Sequence, residues 1–252
     1  MSALILIPAR LASTRLPDKP LVDICGIPMI NRVCALATAS GIGRVAVAAG
    51  DIAIAECVRS AGYEAVLTDP DLPSGSDRIH AAANLIDSDR THDEIINLQG
   101  DMPTLDPSAL NAVLQALRAR SDCDIATLAA EITDQAELSD PDIVKAVLSR
   151  HHGSNSARAL YFSRSCVPAG DAPKYHHIGI YAYKRVSLDR FVASPPSPLE
   201  MSEKLEQLRA LELGMNIDCE VLDGPPPNGV DTAKDLEAAR RFLTNTSPER
   251  NT

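Results

Sequence analysis

Over the first 118 residues, short apolar runs of β-forming residues alternate with segments of helical period, and that alternation admits few folds. Apolar runs lie at 3–7, 44–49, 64–67 and 94–98; the intervening segments 28–39, 52–60, 78–86 and 108–118 repeat apolar residues at helical spacing. Pro28 sits near the first turn of one helix and Gly41 just past its end, and Gly62 closes the next. Asp77 or Ser76 reads as the cap of the third. A βαβα order of this kind predicts an α/β protein with a doubly wound, mostly parallel sheet. From about residue 124 the grammar changes: 125–132, 143–148 and 174–183 read as strands with few helices between them, a β-rich insertion. Helical patterns return at 187–193 and 203–213, a strand follows at 217–222, and a last helix opens at Thr232. The expectation is one domain over 1–244 and a flexible polar tail over 245–252.

In an open α/β sheet, ligands bind at the carboxyl ends of the strands. The first strand stops at Pro8, and Arg10, Arg15 and Lys19 follow it directly, with Ser13 and Thr14 between them. Three cations there, in a chain of net charge -10, predict a polyphosphate site. The acidic balance argues against nucleic-acid binding, and an aromatic content of 3% without Trp leaves little to stack bases on. No apolar run is long enough to cross a membrane and no basic segment precedes the first apolar run, so a cytoplasmic location without membrane contact is expected. Cys25, Cys34, Cys57, Cys123, Cys166 and Cys219 show no CxxC spacing and read as reduced thiols.

Several chemistries have no support. GxxxxGK[ST], HExxH and GxSxG are absent, and Ser40-Gly41-Ile42-Gly43 precedes a strand, as a helix stop does. The pairs His151-His152 and His176-His177 lack ligand spacing. Two carboxylates remain. Asp101 ends a strand after Gln99-Gly100, and Asp231 precedes the final helix. Meeting near a polyphosphate they would hold Mg²⁺; taken singly, the first is equally a turn residue and the second a helix-terminal residue beside a Thr232/Asp235 capping box.

The segments IPARLASTRLPDKPL (7–21), GIPMINRV (26–33), SGSDR (74–78), NLQGD (97–101), ALYFSR (159–164), HHIGIYAY (176–183), SPLEMSEKLEQLRALELG (197–214) and GVDTAKDLE (229–237) occur in that order. In this the chain resembles the 3-deoxy-manno-octulosonate cytidylyltransferases, the CMP-Kdo synthetases, over nearly its whole length. The resemblance implies a Rossmann-like nucleotidyltransferase fold whose β-rich insertion carries acceptor binding and dimerisation. It implies a Mg²⁺-dependent reaction of CTP with 3-deoxy-D-manno-octulosonate (Kdo), giving CMP-Kdo and pyrophosphate for lipopolysaccharide synthesis, in a homodimer. The CTP part would span about 1–122, the acceptor and dimer part about 123–215, and a returning segment about 216–244. Residue by residue, it implies Arg10, Lys19 and Arg15 on the CTP phosphates, with Ala9, Ser74, Gly75, Ser76, Arg78 and Gln99 around the nucleotide. It implies Asp101 and Asp231 on Mg²⁺, and Tyr161, Ser163, Arg164, His177, Tyr181, Glu200 and Gln207 facing Kdo. The dimer contact is expected around 173–183.

Physical chemistry agrees with the transfer. Attack of an anomeric hydroxyl on the α-phosphorus needs positioning and charge neutralisation, which three cations and a metal supply. The acceptor carries a carboxylate and hydroxyls, so Arg164 fits the first, and Glu200, Glu203 and Gln207 fit the second if one helix puts them on one face. Leu205, Leu208 and Leu211 would pack inward from another face. Glu203 is otherwise a solvated residue. Three departures stand out: Ala48-Ala49-Gly50-Asp51 replaces an Ala-Thr-Asp run, Met102-Pro103 replaces Glu-Pro after Gly100-Asp101, and 165–175 is short. The last keeps a cytidylyltransferase for an amino-Kdo or sialic-type acid open as the alternative.

Overall fold

The computed structural model describes residues 2–12, 15–150, 155–226 and 229–246. Ser13, Thr14, the pair His151-His152 and the tail from 247 onward lie outside the described residues. In chain order the first elements are β1 (Ala3–Ala9), a 3-10 turn (Lys19–Leu21), β2 (Asp23–Ile24), β3 (Ile27–Pro28), α1 (Met29–Ala39) and β4 (Gly43–Ala49). Next come α2 (Ile52–Ser60), β5 (Glu64–Leu67), α3 (Gly75–Ile86), β6 (Glu94–Asn97), α4 (Ser108–Ala119), β7 (Ile125–Glu131) and α5 (Gln135–Ser139). The remainder is β8 (Lys145–Arg150), β9 (Ser156–Ser163), β10 (Tyr175–Lys184), α6 (Arg185–Val192), α7 (Pro198–Glu203), α8 (Gln207–Glu212), β11 (Ile217–Leu222) and α9 (Ala233–Thr246). These fall into two compact units, one of Met1–His92, Asn97–Ser108 and Pro227–Thr252, the other of Asp93–Ile96 and Ala109–Pro226.

In the first unit β5, β4 and β1 run parallel and adjacent, with Ala9 opposite Ala49 and Ala49 opposite Leu67. The Leu98 N–H donates to the Leu6 carbonyl at 3.1 Å, which brings the Gln99–Asp101 turn beside the end of β1. Ala3 through Ile7 are wholly buried, as a parallel strand covered on both faces requires. Ile24, Met29, Val230, Leu236 and Ala239 form a separate apolar cluster that seats α9 on the β2–α1 segment. Burying Val230 there fixes the residue next to it, Asp231, and the Val230 N–H donates to the Asp101 carbonyl at 2.8 Å.

The second unit is β-rich, in the order β6-β10-β7-β11-β9-β8, and a further pairing of Tyr175 with Ala146 brings β8 back onto β10. β10 pairs antiparallel with β7 and β8, and β9 antiparallel with β8 and β11, while β11 runs parallel to β7. A bulge interrupts β10 between Ile178 and Tyr181. Its carbonyls are met by the buried Thr127 hydroxyl, 3.2 Å from Ile178 O and 2.9 Å from Ile180 O.

Three expectations about elements need correction. The cap of α3 is Ser74, whose hydroxyl accepts from the Asp77 N–H at 3.1 Å, so neither Ser76 nor Asp77 caps; both lie inside the helix. The helix expected over 203–213 is two helices, because Lys204 turns left-handed at φ 55° and ends α7. Pro198 at its first position and a Ser197/Glu200 capping box start α7 earlier than hydrophobic spacing suggests. Glu200 and Gln207 therefore sit on different helices. The strand expected at 143–148 runs from Lys145 to Arg150, and β9 leaves little trace in the sequence because its inward residues include Ala157 and Ala159, too small to mark an apolar alternation. No described helix is long and apolar enough to cross a membrane.

Candidate active site

Beyond the end of β1, the first unit opens a cleft of about 390 Å³ lined by Ala9, Arg10, Arg15, Lys19, Ser74, Gly75, Arg78, Gln99, Asp101 and Asp231, with Pro8, Ala12, Pro20, Met29, Leu72 and Gly100. Ser76, one helical step further, is buried and is not among the lining residues. Among the described lining residues, four cations face two carboxylates, a positive patch on an acidic chain.

The centre is Lys19. Its ammonium Nζ donates to Asp101 Oδ2 at 2.6 Å and to Asp231 Oδ1 at 2.8 Å, while Arg15 Nη2 lies 3.2 Å from Asp231 Oδ2. Burial works against the Lys19 charge, but Asp101 and Asp231 outweigh it and raise its pKa above the ordinary value. Residue 19 opens the 3-10 turn, which follows left-handed Asp18 and is closed by the Leu21 N–H donating to Asp18 O at 2.8 Å. Gly100 lets the backbone pack closely beside it, since a Cβ there would stand 3.1 Å from the Pro8 carbonyl oxygen, a tight contact.

Arg78 forms the opposite wall. It is 2% exposed, and Nη1 donates to the Thr68 hydroxyl at 2.7 Å and Asp69 O at 2.9 Å, while Nη2 donates to Pro70 O at 3.1 Å. Burial, then repulsion from Arg10, lowers its pKa. Gly50 lies against this guanidinium: a Cβ at residue 50 would stand 2.7 Å from Arg78 Nη1, so a side chain there would have to displace it. Asp51, displaced from the usual motif, has a job of its own, accepting the Leu11 N–H at 2.8 Å and so fixing the start of the cationic loop.

The carboxylate pair suits a hard divalent ion. Mg²⁺ is held by one or two carboxylates, with water and phosphate oxygens completing the shell. Asp101 and Asp231 already share one cationic group, and no cluster of three or more metal-binding side chains occurs among the described residues. Met102, where an acid is usual, is 7% exposed and adds no ligand.

The residues expected on the acceptor side lie in the second unit. Glu203 gathers three of them: Oε1 accepts from the Ser163 hydroxyl at 2.8 Å and the Tyr161 hydroxyl at 3.4 Å, and Oε2 from the Arg164 N–H at 3.1 Å. Burial disfavours this carboxylate, but these donors more than offset it and its pKa falls. Far from a solvated residue, Glu203 organises the group; no spacing in the sequence relates it to 161–164. The Arg164 guanidinium donates through Nε to Glu203 O at 3.0 Å and through Nη1 to Pro141 O at 2.8 Å. Gln207 is 7% exposed, and its amide nitrogen has no hydrogen-bond partner among the described residues. Glu200 is occupied elsewhere, in a two-pronged pair with Arg209 at 2.7 and 2.5 Å.

His177 and Tyr181 stand on either side of the β10 bulge. The His177 Nε2 lies 2.9 Å from the Thr127 hydroxyl, and its ring packs against Phe162 at 4.8 Å and Tyr181 at 5.5 Å between centroids. Burial raises the Tyr181 pKa well above its ordinary value. Burial, then His176, lowers the His177 pKa to about 3, so the imidazole is neutral. The unfolded chain takes up a proton on this group near pH 6.5, the folded chain near 3, so stability is lost as pH falls through that window. At about pH 5 the loss from this residue reaches ~2 kcal/mol. Urea unfolding at about pH 7.5 and pH 5 is expected to show that loss in the wild type, and His177→Gln to lose correspondingly less between the two pH values.

The cytidylyltransferase family profile matches residues 4–217. A 3-deoxy-manno-octulosonate cytidylyltransferase of Rhodopseudomonas palustris (strain HaA2) is 58% identical over 240 residues, 95% of this chain and 97% of that protein. One of Parvibaculum lavamentivorans is 57% identical over 97% of this chain and 93% of its own length. Among solved structures, a CMP:2-keto-3-deoxy-manno-octonic acid synthetase complexed with CTP superposes with a TM-score of 0.89 at 37% identity, covering 97% of this chain and 99% of the other.

Proposed function

The chain belongs to the cytidylyltransferase family, among the 3-deoxy-manno-octulosonate cytidylyltransferases, and on that premise we propose that its cleft carries the CTP half of the reaction CTP + Kdo → CMP-Kdo + pyrophosphate. The enzyme is a nucleotidyltransferase supplying an activated sugar for lipopolysaccharide. The observation that carries the site assignment is the meeting of Lys19, Asp101 and Asp231, residues 82 and 212 apart in sequence, within 2.8 Å of one nitrogen.

In this reading Arg10, Arg15 and Lys19 bind the triphosphate and draw charge off the departing pyrophosphate. Ala9, Ser74, Gly75, Arg78 and Gln99 surround the nucleoside; Ser76, buried within α3, supports that wall without touching it. Asp101 and Asp231 would hold Mg²⁺, which would neutralise phosphate charge and lower the pKa of the attacking hydroxyl. The anomeric oxygen bonds to the α-phosphorus, the bond from that phosphorus to the β-phosphate oxygen breaks, and the hydroxyl proton goes to solvent. No histidine lines the cleft among the described residues, and His177 is too weak a base to take that proton. Tyr161, Ser163, Arg164 and Glu203 form a prearranged polar group for Kdo, Tyr181 and His177 buttress it, and the unpaired amide of Gln207 is a ready donor to a sugar oxygen. Glu200 holds α7 and α8 in place for it.

The homodimer, formed by the β-rich part around 173–183, and a cytoplasmic location belong to the same reading. Mixing protein, CTP, Mg²⁺ and Kdo is expected to release pyrophosphate, with Kdo preferred over amino-Kdo and sialic-type acids at subsaturating concentration. Release with another acid but none with Kdo overturns the acceptor assignment. Sedimentation as a monomer at micromolar concentration overturns the dimer.

A further inference from the structure

Lys19 stands where a metal ion would bridge Asp101 and Asp231. Its ammonium touches both carboxylates, at 2.6 and 2.8 Å, and Arg15 takes the outer oxygen of Asp231 at 3.2 Å. Two carboxylates are thus matched by two fixed cations, and the pair presents no net charge to a divalent ion. The contact is sheltered on the Lys19 side, whose side chain is 18% exposed, against 27% for Asp101 and 43% for Asp231. Mg²⁺ gives up its water reluctantly and needs good ligands, so expelling a resident ammonium is a second cost on top of dehydration.

We infer that Lys19 is the resident counter-cation of the carboxylate pair, so that a divalent ion enters the site together with a nucleotide and not before it. The lysine head is a compact charge on a flexible four-carbon stem, free to rotate from carboxylate to phosphate while its backbone stays in the 3-10 turn. A triphosphate in the cleft offers Lys19 and Arg15 new anionic partners. The same event uncovers Asp101 and Asp231 and brings the phosphate oxygens that complete a metal shell. Loading of metal without substrate, which would lock the carboxylates or admit the wrong ion, is thereby disfavoured by a residue already in the site. The inference rests on the reading that Asp101 and Asp231 are the metal ligands, and the test separates the two.

Free Mn²⁺ is followed by electron paramagnetic resonance in mixtures with the full chain, with and without CTP, and uptake is counted as the loss of signal beyond that caused by the same CTP without protein. The wild type is expected to take up little Mn²⁺ alone and much more with CTP. Lys19→Gln, or Lys19→Met should the first unfold, is expected to bind Mn²⁺ without CTP at least about tenfold more tightly than the wild type. Adding Asp101→Asn to that variant is expected to remove the gain. A wild type that binds Mn²⁺ alone as tightly as the Lys19 variants overturns the inference, and so do Lys19 variants that gain nothing. In both cases the metal reading stands if Asp101→Asn still abolishes Mn²⁺ uptake with CTP. Uptake with CTP that ignores Asp101→Asn overturns the metal reading and the inference with it.

Discussion

Asp101→Asn and Asp231→Asn are each expected to slow pyrophosphate release by at least about a hundredfold at saturating CTP and Kdo, with the fold intact. Each change keeps the size of the side chain and removes the charge that pairs with Lys19 and would hold the metal. The backbone link between the two segments, from the Val230 N–H to the Asp101 carbonyl, does not involve either side chain. Nor does Asp231 cap α9. That task falls to Thr232, whose hydroxyl accepts the Asp235 N–H at 3.3 Å, while Asp235 Oδ2 answers by accepting the Thr232 N–H and hydroxyl at 2.8 Å each and the Asp231 N–H at 3.2 Å. Thermal melts of the two variants should therefore stay close to the wild type. Initial-rate measurements across a Mg²⁺ titration check the claim: a lower kcat with a raised Mg²⁺ requirement is expected, whereas near-normal turnover would reduce that carboxylate to a turn or helix-end residue.

The same two residues mark where a linear reading reaches its limit. Cations after an apolar strand pointed to Arg10, Arg15 and Lys19 without help, because a single local pattern, strand then loop, carries them. Elements whose pattern is local came out with their ends: α2 at 52–60, β5 at 64–67 and β11 at 217–222. That Asp101 and Asp231 meet on Lys19 depends on contacts between distant segments, the Leu98–Leu6 hydrogen bond and the apolar seat of α9, and no periodicity encodes those. Turn chemistry accounts for other differences. Ser74 outcompetes Asp77 as a cap because a serine hydroxyl there both accepts the residue 77 N–H and donates to the Asp77 carboxylate at 2.6 Å. Lys204 breaks what hydrophobic spacing reads as one helix, since left-handed backbone at a lysine leaves no mark in the spacing. The role of Glu203 is hidden from local pattern for a related reason: its partners lie 39 to 42 residues away, on β9 and just beyond it.

Glu200→Gln is expected to act on stability and leave acceptor binding alone. The pair with Arg209 is nearly out of solvent, with side chains 13% and 7% exposed. Glu200 also accepts the Ser197 N–H at 3.0 Å in the capping box that starts α7, so one carboxylate closes both the helix start and the α7–α8 corner. Burial disfavours its charge, yet Arg209 and that N–H more than compensate and lower its pKa. A neutral amide cannot pair in this way with both guanidinium nitrogens. Arg209 would keep its place over the Phe191 ring, 4.6 Å from the centroid, and its contact with Ser194 O at 3.3 Å, but its buried charge would lose its close carboxylate and keep Glu206 Oε1 only at 4.0 Å. Removing one partner of a buried pair costs about 3 kcal/mol, a fall in Tm of roughly 6–12 °C for a chain of this size. Replacing both partners, Glu200→Leu with Arg209→Leu, is expected to recover much of the loss, because the buried guanidinium leaves together with its close carboxylate and the remaining Glu206 is one-third exposed. Measured well below the melt, the KM for Kdo should match the wild type. A KM raised about tenfold or more with an unchanged melt would mean that Glu200 reaches the sugar and that its pairing with Arg209 gives way when the acceptor binds.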